Sequence, residues 1–254
     1  MSRKVALTGS AAGIGAATVE LLRARGDEVI GVDIKDADVV ADLSTPEGRQ
    51  AAVEGVLERC GGRLDALVTV AGLSQAGPAQ VSVNYFGTVD LVRGLQPALA
   101  AARGKVALVG SISGTQPNDP AIVAACLADD EAKALEAAEA VSRPTAIYPS
   151  TKSALAQWMR RVAATEEFAG AGIPVNAVAP GVVLTAMSAG LINDPEWKKV
   201  MDAAVPMPLN GYAQPEVIGN ALLWLISPEN THMTGQVLYV DGGAEVSLRP
   251  ADLF

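Results

Sequence analysis

The sequence predicts a doubly wound α/β fold, in which one mostly parallel sheet is covered by helices on both faces. Short apolar runs rich in β-branched residues alternate with Ala-, Leu-, Glu- and Arg-rich stretches of helical period. The runs are apolar on both faces, which is typical of buried parallel strands. Half of the 254 residues are apolar and no repeat or Pro/Gly/Ser tract marks a boundary, so we expect a single domain over 1–254.

Six apolar runs are predicted to form the strands of this sheet. They lie at 4–8, 28–32, 66–70, 105–109, 174–178 and 236–240.

The segment 114–147 departs from the alternation of strand and helix. It begins with the turn-like sequence Gly-Thr-Gln-Pro-Asn-Asp-Pro and continues as an Ala-rich stretch with one apolar helical face. That face is formed by Ile122, Leu127, Leu135, Ala138 and Val141. We therefore expect a helical insertion, on whose polar side Asp129 and Lys133 pair one turn apart.

Charge and residue counts argue against several classes of function. The net charge is -9 and no Lys/Arg cluster exceeds two residues, so we expect no nucleic-acid partner. No segment has the length of a membrane span, and the apolar run at 5–7 is too short for a signal peptide, which predicts a cytoplasmic protein with no membrane partner. Two distant cysteines, Cys60 and Cys126, and the single histidine His232 favour neither a disulfide framework nor a metal site.

A glycine-rich turn, Thr-Gly-Ser-Ala-Ala-Gly-Ile-Gly at 8–15, follows the first strand and opens a helix. Such glycines let a pyrophosphate approach the N–H groups at the helix start, where the partial charge is positive. A glycine turn alone is equally well explained as a structural turn, but its place between strand and helix favours a dinucleotide site.

An acidic residue, Asp33, ends the second strand 18 residues after Gly15. A carboxylate at this position accepts hydrogen bonds from the adenosine ribose and repels a 2′-phosphate. We therefore expect NAD rather than NADP, although Lys35 lies nearby. Without the glycine turn, a solvated acidic side chain at a strand end would be the better explanation of Asp33.

Further polar and small residues follow strand ends at the same edge, where open parallel sheets bind ligands. They are Asp42-Leu43 and Ala71-Gly72. An equally good explanation of Asp42 is that it caps a helix beginning near Ser44.

The sequence Tyr148-Pro-Ser-Thr-Lys152 separates a phenol and an ammonium by four residues, hence on one face of a helix. A nearby ammonium favours phenolate and is expected to lower the pKa of the tyrosine, so that the phenol transfers a proton during catalysis. Such pairs are also common on solvated helix faces. Ser111, just after the strand at 105–109, is expected at the same edge, where its hydroxyl orients the substrate oxygen; Ser113 is the less favoured candidate.

Two weaker signals complete the candidate site. Asn84, in the helical stretch 81–91, is a poor interior helix former and is expected to hold a water or to interrupt the backbone hydrogen bonding. The sequence Ala-Pro-Gly-Val-Val-Leu-Thr at 179–185 follows a strand, and its Thr hydroxyl and freed backbone groups suit the nicotinamide carboxamide.

Taken together, these residues resemble the classical short-chain dehydrogenase/reductase family, which has a Rossmann fold, over nearly the whole chain. The resemblance implies that Tyr148 is the acid/base, that Lys152 lowers its pKa and holds the nicotinamide ribose, that Ser111 positions the carbonyl, and that Asn84 supports a proton-relay water. It also implies a set of cofactor-binding residues. These are Gly9, Ala12, Gly13, Ile14, Gly15, Asp33, Asp42, Leu43, Ala71, Gly72, Tyr148, Lys152, Pro180, Gly181, Val183 and Thr185.

The sequence departs from the common family pattern between Ser111 and Tyr148, whose separation of 37 residues is unusually long. The insertion, with Asn-Tyr-Phe-Gly at 84–87, Val-Asp-Gly-Gly at 240–243 and the ending Arg249-Pro250, looks like the bacterial 3α-hydroxysteroid dehydrogenase/carbonyl reductase group. This likeness implies reversible oxidation of a secondary alcohol to a ketone. Since the insertion obstructs the usual subunit contact, we expect a homodimer through the C-terminal strand and the helix at 214–226, with a homotetramer less favoured.

The segment 186–210 is rich in large apolar residues, with Asn-Asp-Pro at 193–195 as a helix start. These residues are Met187, Leu191, Ile192, Trp197, Val200, Met201, Val205, Met207 and Leu209. They predict a lid over a hydrophobic alcohol or ketone, and packing against the body is nearly as good an explanation. We expect a bulky alicyclic substrate such as a 3α-hydroxysteroid. The alternatives are a cyclic terpene alcohol, a xenobiotic carbonyl, or, in another class, a nucleotide-sensing protein without catalysis.

Overall fold

The structure is a computed structural model that describes residues 2–249 and 251, together with their side chains except that of Leu191. Pro250, in the expected Arg249-Pro250 ending, lies outside the described residues. A seven-stranded parallel sheet forms the centre of the molecule, in the order β3-β2-β1-β4-β5-β6-β7. The strands are β1 (Lys4–Thr8), β2 (Glu28–Asp33), β3 (Val39–Val40), β4 (Ala66–Thr69), β5 (Lys105–Val109), β6 (Val175–Pro180) and β7 (Val237–Val240).

The doubly wound fold is confirmed, and all six predicted strands are present within two residues of their expected bounds. The additional strand, β3, is only two residues long and pairs with the end of β2. A run this short has too few alternating positions to give a signal in the sequence.

Helices cover both faces of the sheet. They are α1 (Gly13–Ala24), α2 (Pro46–Cys60), α3 (Ala79–Val81), α4 (Gly87–Ala102), α5 (Pro120–Leu127), α6 (Glu131–Ala140), α7 (Ile147–Val162), α8 (Ala186–Ile192), α9 (Pro195–Ala204), α10 (Pro215–Leu225) and α11 (Ala244–Leu248). One face packs against α1 and α10, and the other packs against α2, α4 and α7. Because each face buries its own apolar cluster, the strands are apolar on both sides, as the sequence predicts.

The insertion at 114–147 is helical, but it forms two helices rather than one. Asp119 caps the start of α5 and Asp130 caps the start of α6, each through hydrogen bonds from backbone N–H groups one turn on. Between the two helices, Asp129 has a left-handed backbone (φ 63°), so it belongs to neither α5 nor α6. The expected pairing of Asp129 with Lys133 is therefore wrong, and Asp129 instead pairs with Arg93 of α4 at 2.8 Å.

The order of the strands reverses between β1 and β4, which places a crevice at their shared carboxyl edge. Thr8, the last residue of β1, lies opposite Val32 of β2 and Thr69 of β4. Chain leaving β1 and chain leaving β4 go to opposite faces of the sheet, because β2 lies on one side and β5 on the other. In open α/β sheets this reversal is where ligands bind.

Candidate active site

The glycine turn after β1 is so closely packed that two of its positions exclude a side chain. Gly9 has a left-handed backbone (φ 72°), and a Cβ atom there would lie 2.8 Å from the backbone nitrogen of Ala71. A Cβ atom on Gly15 would lie 1.8 Å from the carbonyl oxygen of Gly9. The turn therefore brings β1, the start of α1 and the chain after β4 into direct contact.

The start of α1 suits a phosphate group. Ala12, the residue before the helix, is extended and exposed, and its side chain has no cap hydrogen bond to offer the first N–H groups. These N–H groups carry partial positive charge and accept an anion as their partner. The hydroxyl of Ser10 is buried and has no hydrogen-bond partner among the described residues. Its unused bonding capacity fits a ribose or phosphate oxygen, so the turn fits the adenosine diphosphate half of a dinucleotide.

Gly13 and Ile14 connect this turn to the rest of the edge. The backbone of Gly13 is left-handed (φ 55°), and a Cβ atom there would lie 3.3 Å from the methyl group of Thr185. Ile14 packs, partly buried, against the apolar cluster under α1 and α10. The predicted phosphate turn and the predicted carboxamide clamp are therefore neighbours in space, although they are far apart in sequence.

Asp33 lies beside the glycine turn, at the end of β2. One carboxylate oxygen accepts a hydrogen bond from the backbone nitrogen of Ala11 at 3.0 Å, and the other accepts one from the nitrogen of Ile34 at 2.7 Å. These bonds hold a half-exposed negative charge next to the turn. A carboxylate there accepts hydrogen bonds from ribose hydroxyls and disfavours a phosphate on the same ribose.

Asp42 and Leu43 follow β3 at the same edge as Asp33. Asp42 Oδ1 accepts a hydrogen bond from the backbone nitrogen of Ser44 at 2.9 Å. Hydrogen bonding by the side chain of Ser44, and then by its backbone, holds the pKa of Asp42 below its usual value. The alternative that Asp42 caps a helix is wrong, because α2 begins at Pro46 and its cap is Thr45. Leu43 is buried beside the first turn of α4, since a Cβ atom on Gly87 would lie 3.2 Å from Leu43 Cβ.

Ala71 and Gly72 line the other side of the crevice. Thr8 Oγ1 accepts hydrogen bonds from the backbone nitrogens of Val70 and Ala71, both at 3.1 Å, which joins β1 to the chain after β4. A Cβ atom on Gly72 would lie 3.2 Å from Asn84 Oδ1 and 3.9 Å from Lys152 Nζ. The glycine therefore keeps open the space in front of these two side chains.

Asn84 interrupts a helix, as its sequence context predicts. It lies in a π-helical segment, Ser82–Phe86, between α3 and α4, where the regular backbone hydrogen bonding is broken. Its side chain is fully buried and pairs with Leu73, accepting from the nitrogen at 2.7 Å and donating to the oxygen at 3.0 Å. A weaker contact of 3.4 Å reaches Thr151 Oγ1. Asn84 thus joins the π-helical segment to α7, and its part in a proton relay stays a prediction.

Tyr148 and Lys152 lie on one face of α7, as their spacing predicts. Lys152 Nζ is 5.7 Å from the centre of the Tyr148 ring and donates a hydrogen bond to the carbonyl oxygen of Val109 at 2.9 Å. Ser111, two residues beyond Val109, begins a short 3-10 helix (Ile112–Thr115), and its hydroxyl accepts a hydrogen bond from the nitrogen of Ser113 at 3.1 Å. Ser111 and Lys152 line the same small pocket, and the hydroxyl of Ser111 lowers the pKa of the Tyr148 phenol. The three groups therefore meet at the end of β5.

The pKa of Tyr148 differs from the expectation for this pair. Burial raises the pKa of the phenol, and the hydroxyl of Ser111 opposes this effect only in part. Burial also lowers the pKa of Lys152 to about 8. The expected lowering of the tyrosine pKa by the ammonium is therefore wrong, because desolvation disfavours both charged forms. The phenol is protonated at neutral pH.

The segment after β6 is held in place by neighbouring backbone. Gly181 follows Pro180, and a Cβ atom on Gly181 would lie 2.9 Å from Met207 Sδ and 3.0 Å from Asp241 Cα. Val183 is buried and pairs in parallel with Ala213. Thr185 then caps α8, and these contacts fix the predicted carboxamide clamp next to the glycine turn.

The segment 186–210 consists of two helices, α8 and α9, with Asp194 and Pro195 starting α9 as predicted. Several of its large apolar side chains are exposed rather than packed on the body: Met187, Trp197, Val200 and Leu209. Val205 is buried, and Ile192, Met201 and Met207 pack partly buried beside it. Packing against the body thus accounts for one side of the segment only. The side chain of Leu191 lies outside the described residues.

Two residues in or beside the site, Ser10 and Gln116, were not predicted from the sequence. The buried hydroxyl of Ser10 gives no signal in the sequence, because serine is an ordinary turn residue. Gln116, which follows the 3-10 helix after Ser111, donates a hydrogen bond to the carbonyl oxygen of Ala204 at 3.2 Å. That bond connects the insertion to the end of α9, and neither the insertion nor the lid contains a pattern that would predict it.

Two features are absent from residues 2–249 and 251. No helix there is both long and apolar enough to cross a membrane. No group of three or more His, Cys, Asp or Glu side chains there is arranged to hold a metal ion.

Comparison with known proteins identifies the family. A family profile described as short chain dehydrogenase matches residues 3–124, and one described as Enoyl-(Acyl carrier protein) reductase matches residues 132–245. The 3-alpha-hydroxysteroid dehydrogenase/carbonyl reductase of Comamonas testosteroni is 34% identical, over 97% of this chain and 98% of its own length. The 3-oxoacyl-acyl-carrier-protein reductase of Escherichia coli is 29% identical, over 94% and 96% of the two chains.

A solved structure is similar over the same extent. The 3-alpha-hydroxysteroid dehydrogenase from Pseudomonas sp. B-0831, complexed with NADH, is 41% identical and superposes with a TM-score of 0.91, covering 97% of this chain and 98% of its own. The sheet order, the glycine turn and the Tyr148, Lys152 and Ser111 arrangement agree with this likeness. The chain belongs to the short-chain dehydrogenase/reductase family, and it is an oxidoreductase of that family.

Proposed function

We propose that this chain interconverts a secondary alcohol and a ketone with NAD(H), and that its substrate is bulky and alicyclic, such as a 3α-hydroxysteroid. The observation that carries the proposal is the meeting of Tyr148, Lys152 and Ser111 at the end of β5. This group faces the same sheet edge as the glycine turn, which fits a dinucleotide.

A bound nicotinamide would supply the acceptor or donor of a hydride. In the reducing direction, Tyr148 gives its phenolic proton to the carbonyl oxygen of the substrate, and Ser111 donates a hydrogen bond to that oxygen. The raised pKa of the free phenol keeps the proton in place until it is needed. Lys152 stabilises the phenolate that is left, and Asn84 holds the π-helical segment beside α7. In the oxidising direction the phenol must first lose its proton, and the phenolate then takes the proton of the substrate hydroxyl as the hydride leaves for the nicotinamide.

The choice of NAD over NADP rests on Asp33. Its carboxylate lies beside the glycine turn, where it accepts hydrogen bonds from backbone nitrogens and disfavours a 2′-phosphate. Lys35 is exposed and belongs to the loop beyond β2. The NADH complex of the similar Pseudomonas enzyme supports the same choice.

The apolar lid supports the substrate class. Trp197, Val200 and Met187 are each more than half exposed, which leaves apolar surface next to the site that the described residues do not cover. A hydrophobic alcohol or ketone would cover it. Of the two neighbouring lysines, Lys198 is paired with Asp202 at 2.7 Å, so the lid offers little positive charge for an anionic substrate.

A substrate panel tests the proposal. Hydroxysteroids, cyclic terpene alcohols, xenobiotic ketones and simple cyclic alcohols are assayed with NAD and with NADP, following the absorbance of the reduced nicotinamide. We expect the highest kcat/KM for a 3α-hydroxysteroid with NAD. A preference for terpene alcohols or xenobiotic carbonyls would show that the proposed steroid substrate is wrong. Binding of NADH without any turnover would support the nucleotide-sensing alternative.

We also propose that the protein is a homodimer through β7 and α10. The edge strand β7 is only partly buried, and α10 exposes Val217 and Trp224 beside it. The insertion packs on α7 and pairs with α4 through Arg93 and Asp129, so it covers the face of these helices. Sedimentation should give a dimer, and a stable tetramer would contradict this arrangement. A cytoplasmic location stays a prediction.

A further inference from the structure

Arg49 is a buried cation that the proposed reaction does not use. It belongs to α2, and only 3% of its surface is exposed. Burying a guanidinium group costs free energy unless its charge and its N–H groups are satisfied. The partners of Arg49 therefore indicate which parts of the chain this buried charge holds together.

The partners of Arg49 come from three separate parts of the chain. Nε pairs with Asp90 of α4 at 2.7 Å. Nη1 donates to Glu131 Oε1 at 3.2 Å, and Nη2 pairs with the other oxygen of the same carboxylate, which gives a two-pronged contact. Nη1 also donates to the carbonyl oxygen of Leu43 at 3.3 Å. The ring of Phe86, 6.0 Å away, covers the guanidinium.

These contacts link the insertion to the loop that carries Leu43. Glu131 is the first residue of α6, in the second helix of the insertion. Leu43 follows β3, and β3 pairs with the end of β2, which carries Asp33. A dinucleotide anchored at the glycine turn and Asp33 would place its adenine on this side of the sheet, where Leu43 is a buried apolar residue of the chain after β3.

We propose that Arg49 is a positioning residue for the adenine end of the cofactor, and that Glu131 of the insertion holds it in position. Arg49 acts by fixing the backbone of Leu43, without touching the cofactor itself. The insertion therefore contributes to cofactor affinity as well as to the outer surface. This inference rests on the proposed function, because it needs a dinucleotide in the crevice.

The chain offers a matched control. Asp129 is also in the insertion and also pairs with an arginine, Arg93, but both side chains are about half exposed and their recorded hydrogen bonds are to each other. Asp129→Asn therefore loosens the insertion without freeing Arg49. Glu131→Gln removes the charge that holds Arg49 and keeps the size of the side chain.

The test measures the Kd of NADH and of adenosine 5′-monophosphate by calorimetry, with kcat and the KM for NAD in the same variants. For Glu131→Gln we expect both Kd values to rise by a similar factor, roughly two- to thirtyfold. The KM for NAD rises with them and kcat at saturating NAD stays near wild type. Asp129→Asn should leave all four quantities unchanged. Arg49→Lys, which keeps the charge but loses the two-pronged contact, should repeat the pattern.

Results that contradict the role of Arg49 can be told apart from results that contradict the proposed function. An unchanged Kd for adenosine 5′-monophosphate in both Glu131→Gln and Arg49→Lys overturns the inference. So does an equal change in Asp129→Asn, because it would report general loosening of the insertion. A wild-type protein that binds neither NADH nor NADPH overturns the proposed function, and with it this inference; it is recognised because wild type and control fail together.

Discussion

A side chain on Gly15 would collide with the carbonyl oxygen of Gly9, since its Cβ atom would lie 1.8 Å from that oxygen. The first turn of α1 thus rests directly on the end of β1, and the turn that is proposed to hold the pyrophosphate has no room for a side chain at Gly15.

Gly15→Ala should therefore move the first turn of α1 and abolish measurable NADH binding, although alanine has the higher helix propensity. Gly190→Ala is the control, because a Cβ atom there has nothing within 4 Å. Titration of NADH fluorescence measures both variants. Wild-type affinity in Gly15→Ala would mean that α1 is not fixed by this contact.

The fold was predictable because its signal is repeated along the chain. Each long strand and each covering helix has its own apolar pattern, and the glycine turn marks where the first strand becomes a helix. β3 was not predictable, because two residues carry no pattern. The break between α5 and α6 was not predictable either. It lies at Asp129, whose backbone is left-handed, and no glycine in the sequence marks it.

Asp33→Asn should raise the ratio of kcat/KM for NADP to that for NAD by roughly tenfold or more, because it removes the negative charge that disfavours a 2′-phosphate. The amide oxygen still accepts a hydrogen bond from Ala11. Asp36→Asn is the control. Asp36 is exposed, lies in the same loop and has a left-handed backbone (φ 50°), which asparagine tolerates. An equal change in both variants would indicate a general charge effect instead.

Lys152→Met should change how stability depends on pH. The pKa of Lys152 is about 8 in the folded protein and 10.5 in the reference state, so between these values the unfolded chain binds more protons than the folded one. The free energy of unfolding of the wild type therefore rises relative to Lys152→Met as pH increases from 8 to 10.5, and the cost of burial is fully present below pH 8.

Urea denaturation at the two ends of this range measures the effect. We expect the difference between wild type and Lys152→Met to change by roughly 2–3 kcal/mol in favour of the wild type at the higher pH. A constant difference would show that Lys152 is not desolvated in the free protein. The loss of the hydrogen bond to Val109 adds an offset, but an offset has no dependence on pH.

Trp197→Ala tests the lid. The side chain is 54% exposed, so its loss should change the melting temperature little. We expect the KM for a bulky alicyclic substrate to rise by roughly tenfold, because the indole is proposed to cover that substrate. The KM for cyclohexanol serves as the control and should stay constant. Equal effects on both substrates would argue that α9 acts on folding and not on substrate binding.

The candidate site was only partly predictable from the sequence. Tyr148 and Lys152 are close because four residues along a helix return to the same face, and this follows from spacing alone. Their pKa values did not follow, because they depend on burial beneath other elements. The partners of Arg49 could not be predicted from the sequence either, because Leu43, Asp90 and Glu131 meet only after folding.

We propose that the phenol of Tyr148 transfers the proton, and that most contacts with the cofactor come from other residues. Tyr148→Phe removes the hydroxyl and leaves the ring beside Lys152. Single-turnover reduction of the best ketone by NADH, measured with the Kd of NADH, tests this directly. We predict a rate lower by roughly a hundred- to ten-thousandfold, with NADH affinity close to that of the wild type. A rate near that of the wild type would contradict it.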